Sequence, residues 1–156
     1  MSPSPSPLKR LYVSDAAWLA VLDASHAATH QAWSEKLFAS FLSNAASYGC
    51  ALIENDEPAA FILAQGAGDE AEIVNLVTTP LSRRKGYAEK LVNEFAAHMA
   101  STGKSRLFLE VAVNNVAAIG LYTKLGFIQC GHRPNYYAQG DGTSLDAILM
   151  QKSLNI

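Results

Sequence analysis

The chain has no excess of positive charge: 12 Lys and Arg stand against 14 Asp and Glu, a formal net charge of −2. General nucleic-acid binding draws on a basic surface, so it is not expected here. No apolar run reaches the 18 residues of a membrane-spanning helix, and no membrane partner is expected. The opening "MSPSPSPLKR" lacks the apolar stretch of a secretory signal, which makes the cytoplasm the expected location. There are only two cysteines, Cys50 and Cys130, without CxxC spacing. Both lie among apolar residues and read as two buried thiols in a reducing compartment. GxxxxGK[ST], GxGxxG and GxSxG are all missing, which removes the P-loop, the dinucleotide fingerprint and the nucleophile elbow. Neither cysteine has an evident His partner, so covalent catalysis is not expected.

What is present reads as one soluble domain. The 156 residues, 49% hydrophobic and 17% charged, suffice for a core without disulfide or metal. The Ser-Pro alternation of residues 1–10 cannot build helix and reads as a disordered tail, with the domain spanning 11–156. "LYV" (11–13) predicts a strand, and Ser14 or Asp15 the cap of a first helix. "AWSEKLFASFLSN" predicts a second helix, with Ser34 as N-cap and Trp33 and Phe38 as a hydrophobic staple. "YGCALIE" and "PAAFILAQ", joined by "NDE", predict a β-hairpin. "AEIVNLVTT" is a further strand ended by Pro80.

From Gly86, helical spacing of Leu91, Val92, Phe95, Ala96 and Met99 runs to "STGK". "SRLFLEVAV" alternates, placing Leu107, Leu109, Val111 and Val113 on one face and Phe108, Glu110 and Ala112 on the other. "NVAAIGLYTKL" is a helix ended by Gly126, with Phe127 folding back in a Schellman motif. "FIQCGH" and "LDAILMQ" are the last two strands. The order β-α-α-β-β-β-α-β-α-β-β predicts an α/β fold with a mixed sheet flanked by helices and one parallel β-α-β step.

One stretch departs from the acidic background. In "SRRKGYAEKL" three bases, Arg83, Arg84 and Lys85, run into Gly86 at the mouth of a helix, whereas the first 82 residues carry only Lys9, Arg10 and Lys36 as bases. First-turn N–H groups without helical partners, together with the helix dipole, make such a place an anion site. Glycine lets a diphosphate approach the backbone. A solvated basic turn fits the same spacing.

"RRKGYA" resembles the R/Q-x-x-G-x-G/A segment with which Gcn5-related N-acetyltransferases (GNAT) hold the pyrophosphate of acetyl-CoA. About thirty residues on, "NNVAAIGLYTKLGF" resembles that family's Asn-to-Tyr helix and Gly-Phe corner. "AWSEKLFAS", "LFLEVAVNNVAAIGLYTKLGF" and "RPNYYAQGDGTSLDAILM" look like segments of the RimI-type group, which acetylates a ribosomal protein. The likeness spans residues 11 to 152. It implies a GNAT fold, a single domain whose mixed sheet of six to seven strands is flanked by about four helices. It also implies acetyl-CoA as cosubstrate, no metal, and as partner the N-terminal alanine of a small-subunit ribosomal protein.

The same resemblance assigns roles. Glu110 matches the general base, and Tyr122 the acid that protonates the coenzyme A sulfur. Leu76, Val77 and Thr78 match the strand that holds the pantetheine. Arg83, Arg84, Lys85, Gly86, Tyr87 and Ala88 match the diphosphate site, Asn115 a cofactor contact, and Tyr136 the peptide groove. Each has a plainer reading: Glu110 as a carboxylate paired with an arginine on the sheet, Tyr122 as a core tyrosine behind the Gly126–Phe127 corner, Asn115 as a helix cap, Tyr136 as an aromatic packed on the domain.

An N-terminal substrate is chemically apt, because an α-amine titrates near 7.7–8.0 against about 10.4 for lysine. That gap is on the order of 3 kcal/mol that the enzyme need not supply. A small amine, a lysine or other N-termini remain alternative acceptors, and a non-catalytic coenzyme A-binding module remains the alternative class. Ala112 and Pro134 replace basic residues common in the group, and Ala88 replaces the third glycine. Asp23, His26 and His30 have helical spacing for a metal but lack a fourth ligand, so a surface helix face is the expected reading.

Overall fold

A computed structural model describes residues 8–26, 32–79, 85–138 and 141–154. Among the described residues, seven strands and four helices follow in order: β1 (Leu8–Arg10), α1 (Ala16–His26), α2 (Glu35–Leu42), β2 (Ser47–Glu54), β3 (Glu57–Ala67), β4 (Glu70–Thr78), α3 (Tyr87–Ser101), β5 (Arg106–Ala112), α4 (Val116–Lys124), β6 (Ile128–Ala138) and β7 (Ser144–Ser153). A short 3-10 turn, Val13–Asp15, leads into α1. The strands form one sheet in the order β1-β2-β3-β4-β5-β7-β6, in which only β4 and β5 run parallel. The strand and helix order matches the sequence reading.

Strand alternation sorts the core into two layers. Ile62, Ala64, Ile73, Leu107 and Leu109 meet Leu91, Val92 and Phe95 of α3 and Tyr122 of α4 on one face. Ala51, Phe61, Leu63 and Val77 meet Leu19 of α1 and Phe38 of α2 on the other. The staple is in place: the Trp33 and Phe38 ring centroids lie 5.2 Å apart, and Ser34 Oγ accepts the Leu37 N–H at 3.1 Å. Asn55 and Asp56, both at positive φ, close the β2–β3 hairpin.

Two expectations need correction. The first strand is Leu8–Arg10, inside the stretch read as tail, rather than 11–13. Leu11 turns into the core while its N–H still bonds the Gly49 carbonyl at 2.9 Å, and a Cβ on Gly49 would lie 2.9 Å from Leu11 Cβ. Tyr12 onward then winds into the helix. Of the two thiols, Cys50 is buried but Cys130 is exposed, because β6 forms one edge of the sheet.

Asp15 holds the entrance to α1 from within the 3-10 turn. Its carboxylate accepts the Tyr12 N–H and the Trp18 Nε1–H, each at 2.9 Å, and pairs with Lys9 at 3.0 Å. Burial works to raise this carboxyl; the bonds from Trp18, Tyr12 and Lys9 outweigh it and hold it below the usual range. A depressed folded-state value gives stability that is present above the unfolded value near 3.9 and lost as pH falls through the folded one. Asp15→Asn is therefore expected to lower stability at pH 7 and to flatten its fall below about pH 4. Urea unfolding at pH 7 and pH 3 checks this; parallel losses at both pH values would refute it.

Among the described residues no helix is long and apolar enough to cross a membrane.

Candidate active site

The site begins where two strands part. β4 and β5 pair over four positions only, from Glu70↔Arg106 to Ile73↔Leu109. Beyond them β4 stays paired with β3 to Thr78, while β5 stays paired with β7 to Ala112. A bulge marks the parting. Leu63 opposes Asn75 and Ala64 opposes Ile73, so Val74 is an extra residue in β4. Such a bulge bends its strand and puts two successive side chains on one face. Val74 packs on the α1–α2 layer, and the Asn75 amide lies 3.4 Å from Asp23 of α1. Leu76 then returns to the α3–α4 layer and Val77 to the other.

The stretch Leu76–Thr78 thus runs beside the parting, past the last rung to β5. An extended ligand laid along it would bond as an added strand does. The parallel β4-α3-β5 step puts the start of α3 at the end of β4, and α4 starts just beyond β5. Both helices therefore start at the same end of the sheet, where the helix dipoles add positive potential.

At the α3 start, Gly86 adopts φ 77°, a left-handed conformation that favours glycine, and no atom would crowd a Cβ there. Lys85, beside it, is paired with Glu54 of β2 at 2.7 Å, and the Tyr87 hydroxyl bonds the same carboxylate. Those two hydrogen bonds, Lys85's foremost, hold the Glu54 carboxyl below its usual range, and in return Glu54 pushes Lys85 up. Sequence reading did not single out Glu54; a strand-end glutamate carries no local signal. Ala88 lies in the first turn of α3. Arg83 and Arg84 lie outside the described residues. At the α4 start, Asn115 Oδ1 accepts the Ala118 N–H at 3.2 Å, which leaves its amide N–H groups for another partner.

Glu110 stands on β5 one residue past the last rung to β4. Its side chain is only 16% exposed, and its Oε1 lies 3.1 Å from an Arg133 Nη atom. The Arg133 guanidinium stacks 4.7 Å from the Tyr136 ring centroid, and the Tyr136 hydroxyl bonds the Glu110 carboxylate. Burial first, then the Glu110 charge, pushes the Tyr136 phenol up. The structure thus joins Glu110 and Tyr136, with Arg133 as the link.

A local irregularity of β6 makes the reach possible. Arg133 opposes Ala147 and Tyr137 opposes Leu145, so the residues between them bulge out of the ladder. Asn135 sits at φ 55°, with its N–H on Asp146 at 2.9 Å and its Oδ1 accepting from Ser144 at 2.8 Å. Pro134, which has no N–H to offer a ladder, was the one sequence signal.

Tyr122 is 7% exposed and lies in the α3–α4 layer, its ring edge-on to Phe127 at 5.6 Å. The Schellman bonds are formed: Phe127 N–H to the Tyr122 carbonyl at 2.9 Å and Gly126 N–H to that of Thr123 at 3.0 Å. Glu110, alternate to Leu109 and Val111, faces away from that layer. The carboxylate and the phenol therefore belong to opposite faces of the sheet. Asp23, considered above as a metal ligand, is fully buried and accepts the Trp33 N–H at 2.8 Å; His30 lies outside the described residues. Among the described residues no group of three His, Cys, Asp or Glu could hold a metal.

The Acetyltransferase (GNAT) family model matches residues 17–127. The ribosomal protein bS18-alanine N-acetyltransferase of Escherichia coli K12 is 39% identical over 119 residues, 76% of this chain and 78% of that protein. Its Haemophilus ducreyi counterpart is 38% identical over 62% of this chain and 67% of its own. The crystal structure of the ribosomal-protein-S18-alanine N-acetyltransferase from Escherichia coli superposes with a TM-score of 0.88 at 32% identity, covering 97% and 95% of the two chains. Arabidopsis thaliana NAA60 in complex with acetyl-CoA shares the fold, with a TM-score of 0.83 at 16% identity, covering 96% and 99%. The chain belongs to the GNAT family of acetyltransferases.

Proposed function

We propose that the chain transfers the acetyl group of acetyl-CoA to the α-amine of an N-terminal alanine, that of the small-subunit ribosomal protein bS18. The observation that carries this is the 39% identity to enzymes of that activity, over a site with a carboxylate and a phenol on opposite sides of a parted sheet. A ribosomal-protein substrate supports a cytoplasmic location for the enzyme.

The residues divide the work. The backbone of Leu76, Val77 and Thr78 holds the pantetheine arm as an added strand, and one of its N–H groups donates to the carbonyl oxygen as negative charge develops. Gly86, Tyr87 and Ala88 offer the first-turn N–H groups to the diphosphate. Arg83, Arg84 and Lys85 supply charge, with Lys85 moving from Glu54 to do so. The Asn115 amide offers its N–H groups to the cofactor. Bound there, acetyl-CoA supplies the activated acetyl group. Tyr136 borders the peptide groove. Glu110 takes the proton that the amine nitrogen sheds as the N–C bond forms, and Tyr122 gives its phenol proton to the departing sulfur.

Intact-mass spectrometry tests the reading on peptides starting with Ala, Ser, Gly or Met, a Lys peptide blocked at its N-terminus, and spermidine. One added acetyl group on the Ala peptide is expected, slowed about 10²-fold by Tyr122→Phe with acetyl-CoA binding retained. Labelling confined to lysine or spermidine would sink the acceptor assignment. Binding of acetyl-CoA without any transfer would favour a coenzyme A-binding module.

A further inference from the structure

We propose that Arg133 sets acceptor specificity by neutralising Glu110, so that the site takes α-amines and turns away amines that arrive almost wholly protonated. This rests on Glu110 being the base of the proposed reaction. Arg133 was part of a quoted segment in the sequence, but nothing there gave it a role of its own.

The geometry builds the pair deliberately. Arg133 is on β6 and Glu110 on β5, with β7 between them. The guanidinium spans that strand where its residue is Ala147, which opposes both Arg133 and Ala112. Two successive alanine positions leave the path clear. The arginine's origin is fixed by the Asn135 bend, by the bonds of Asn135 and His132 to Asp146, and by Ser144 on Asn135. Its plane is fixed by stacking on Tyr136. A long side chain so held loses little further freedom in meeting a carboxylate.

The consequence is a matter of charge. Glu110 and Arg133 cancel each other's charge at 3.1 Å. Without the guanidinium the carboxylate would stand uncompensated, with Glu72 of β4 adding negative potential, an inviting place for a cation. A lysine or polyamine nitrogen titrates near 10.4 and reaches the site almost wholly as ammonium. It gains little from a carboxylate that already has a tethered cation, and it meets like charge at Arg133. An α-amine near 7.7–8.0 enters neutral about a tenth of the time at neutral pH. Its nitrogen becomes strongly acidic only as the N–C bond forms, and a neutralised carboxylate can accept that proton.

The test is a ratio: kcat/KM for spermidine, and for the N-blocked Lys peptide, over kcat/KM for the Ala peptide. Arg133→Gln is expected to raise both ratios by at least about tenfold. Arg133→Lys, which keeps the charge, should stay within about threefold of wild type. Acetyl-CoA affinity by calorimetry should be unchanged throughout. Should the glutamine variant not fold, Arg133→Met keeps the apolar stem without the charge and reports the same ratio. A purely structural role lowers all substrates together, and an unmoved ratio overturns the proposal. Wild-type protein that binds acetyl-CoA yet labels no α-amine instead defeats the reading beneath it.

Discussion

Glutamine in place of Glu110 is expected to lower kcat on an Ala-starting peptide by about 10²–10⁴-fold while leaving acetyl-CoA affinity unchanged. The substitution keeps shape and hydrogen-bonding capacity but cannot take up the proton the amine must lose. Binding should survive because the groups proposed to hold the cofactor lie elsewhere: along β4 at Leu76–Thr78 and at the α3 start. Glu110 faces away from the α3–α4 layer that contains Tyr122. Removing the charge leaves Arg133 without its ion-pair partner, yet its side chain is 49% exposed and can turn to water. The loss should therefore appear in kcat rather than in folding. Steady-state kinetics and calorimetry on the same preparation separate the two. A kcat within about threefold of wild type would show that Glu110 is only the structural partner of Arg133.

The largest expected effect on stability is at Phe38. Phe38→Ala should cost about 3–5 kcal/mol, the range for truncating a buried phenylalanine. For a domain of this size that is a fall in Tm on the order of 10 °C. Phe38 has no exposed surface and sits between Trp33, 5.2 Å away, and Phe61 of the sheet, 6.0 Å away and edge-on. It is the one fully buried side chain by which α2, a helix of eight residues, meets the layer beneath. The rings of Trp33 and Phe61 on either side have fixed shapes, which limits how far the space can close. Thermal and urea unfolding measure the change; a shift below about 2 °C would mean that α2 collapses onto the sheet without its anchor.

Much of this fold was legible because its signals are local. Ser34 and Trp33 announce α2, and the run from Tyr122 to Phe127 spells out the end of α4. Alternation in "SRLFLEVAV" placed Glu110 on the face opposite Leu107, Leu109 and Val111. β1 was not legible: three residues beside a Ser-Pro run acquire strand structure only by pairing with Leu52, Ala51 and Cys50 of β2. The exposure of Cys130 depends on β7 inserting between β5 and β6, which no local pattern states. The same insertion hides the meeting of Arg133 with Glu110. Their neighbourhood depends on register across two ladders and on a bulge, whereas sequence offers only a carboxylate and a separate "RPNYY". For Glu110 the plainer reading, a pair with an arginine, and the proposed catalytic one describe the same atoms.

The four rungs between β4 and β5 divide the molecule like the spine of a book, with β1 to β4 as one cover and β5 to β7 as the other. In the proposed reaction, the donor lies where the fifth and later rungs would be. Its arm then serves as binding thread as well as cargo, adding to the α3–α4 layer that already packs on both covers. Occupancy and cohesion become one quantity, because whatever binds the folded state alone stabilises it in proportion to the logarithm of its concentration. If the donor binds as proposed, coenzyme A or acetyl-CoA should raise the melting temperature in step with the logarithm of its concentration.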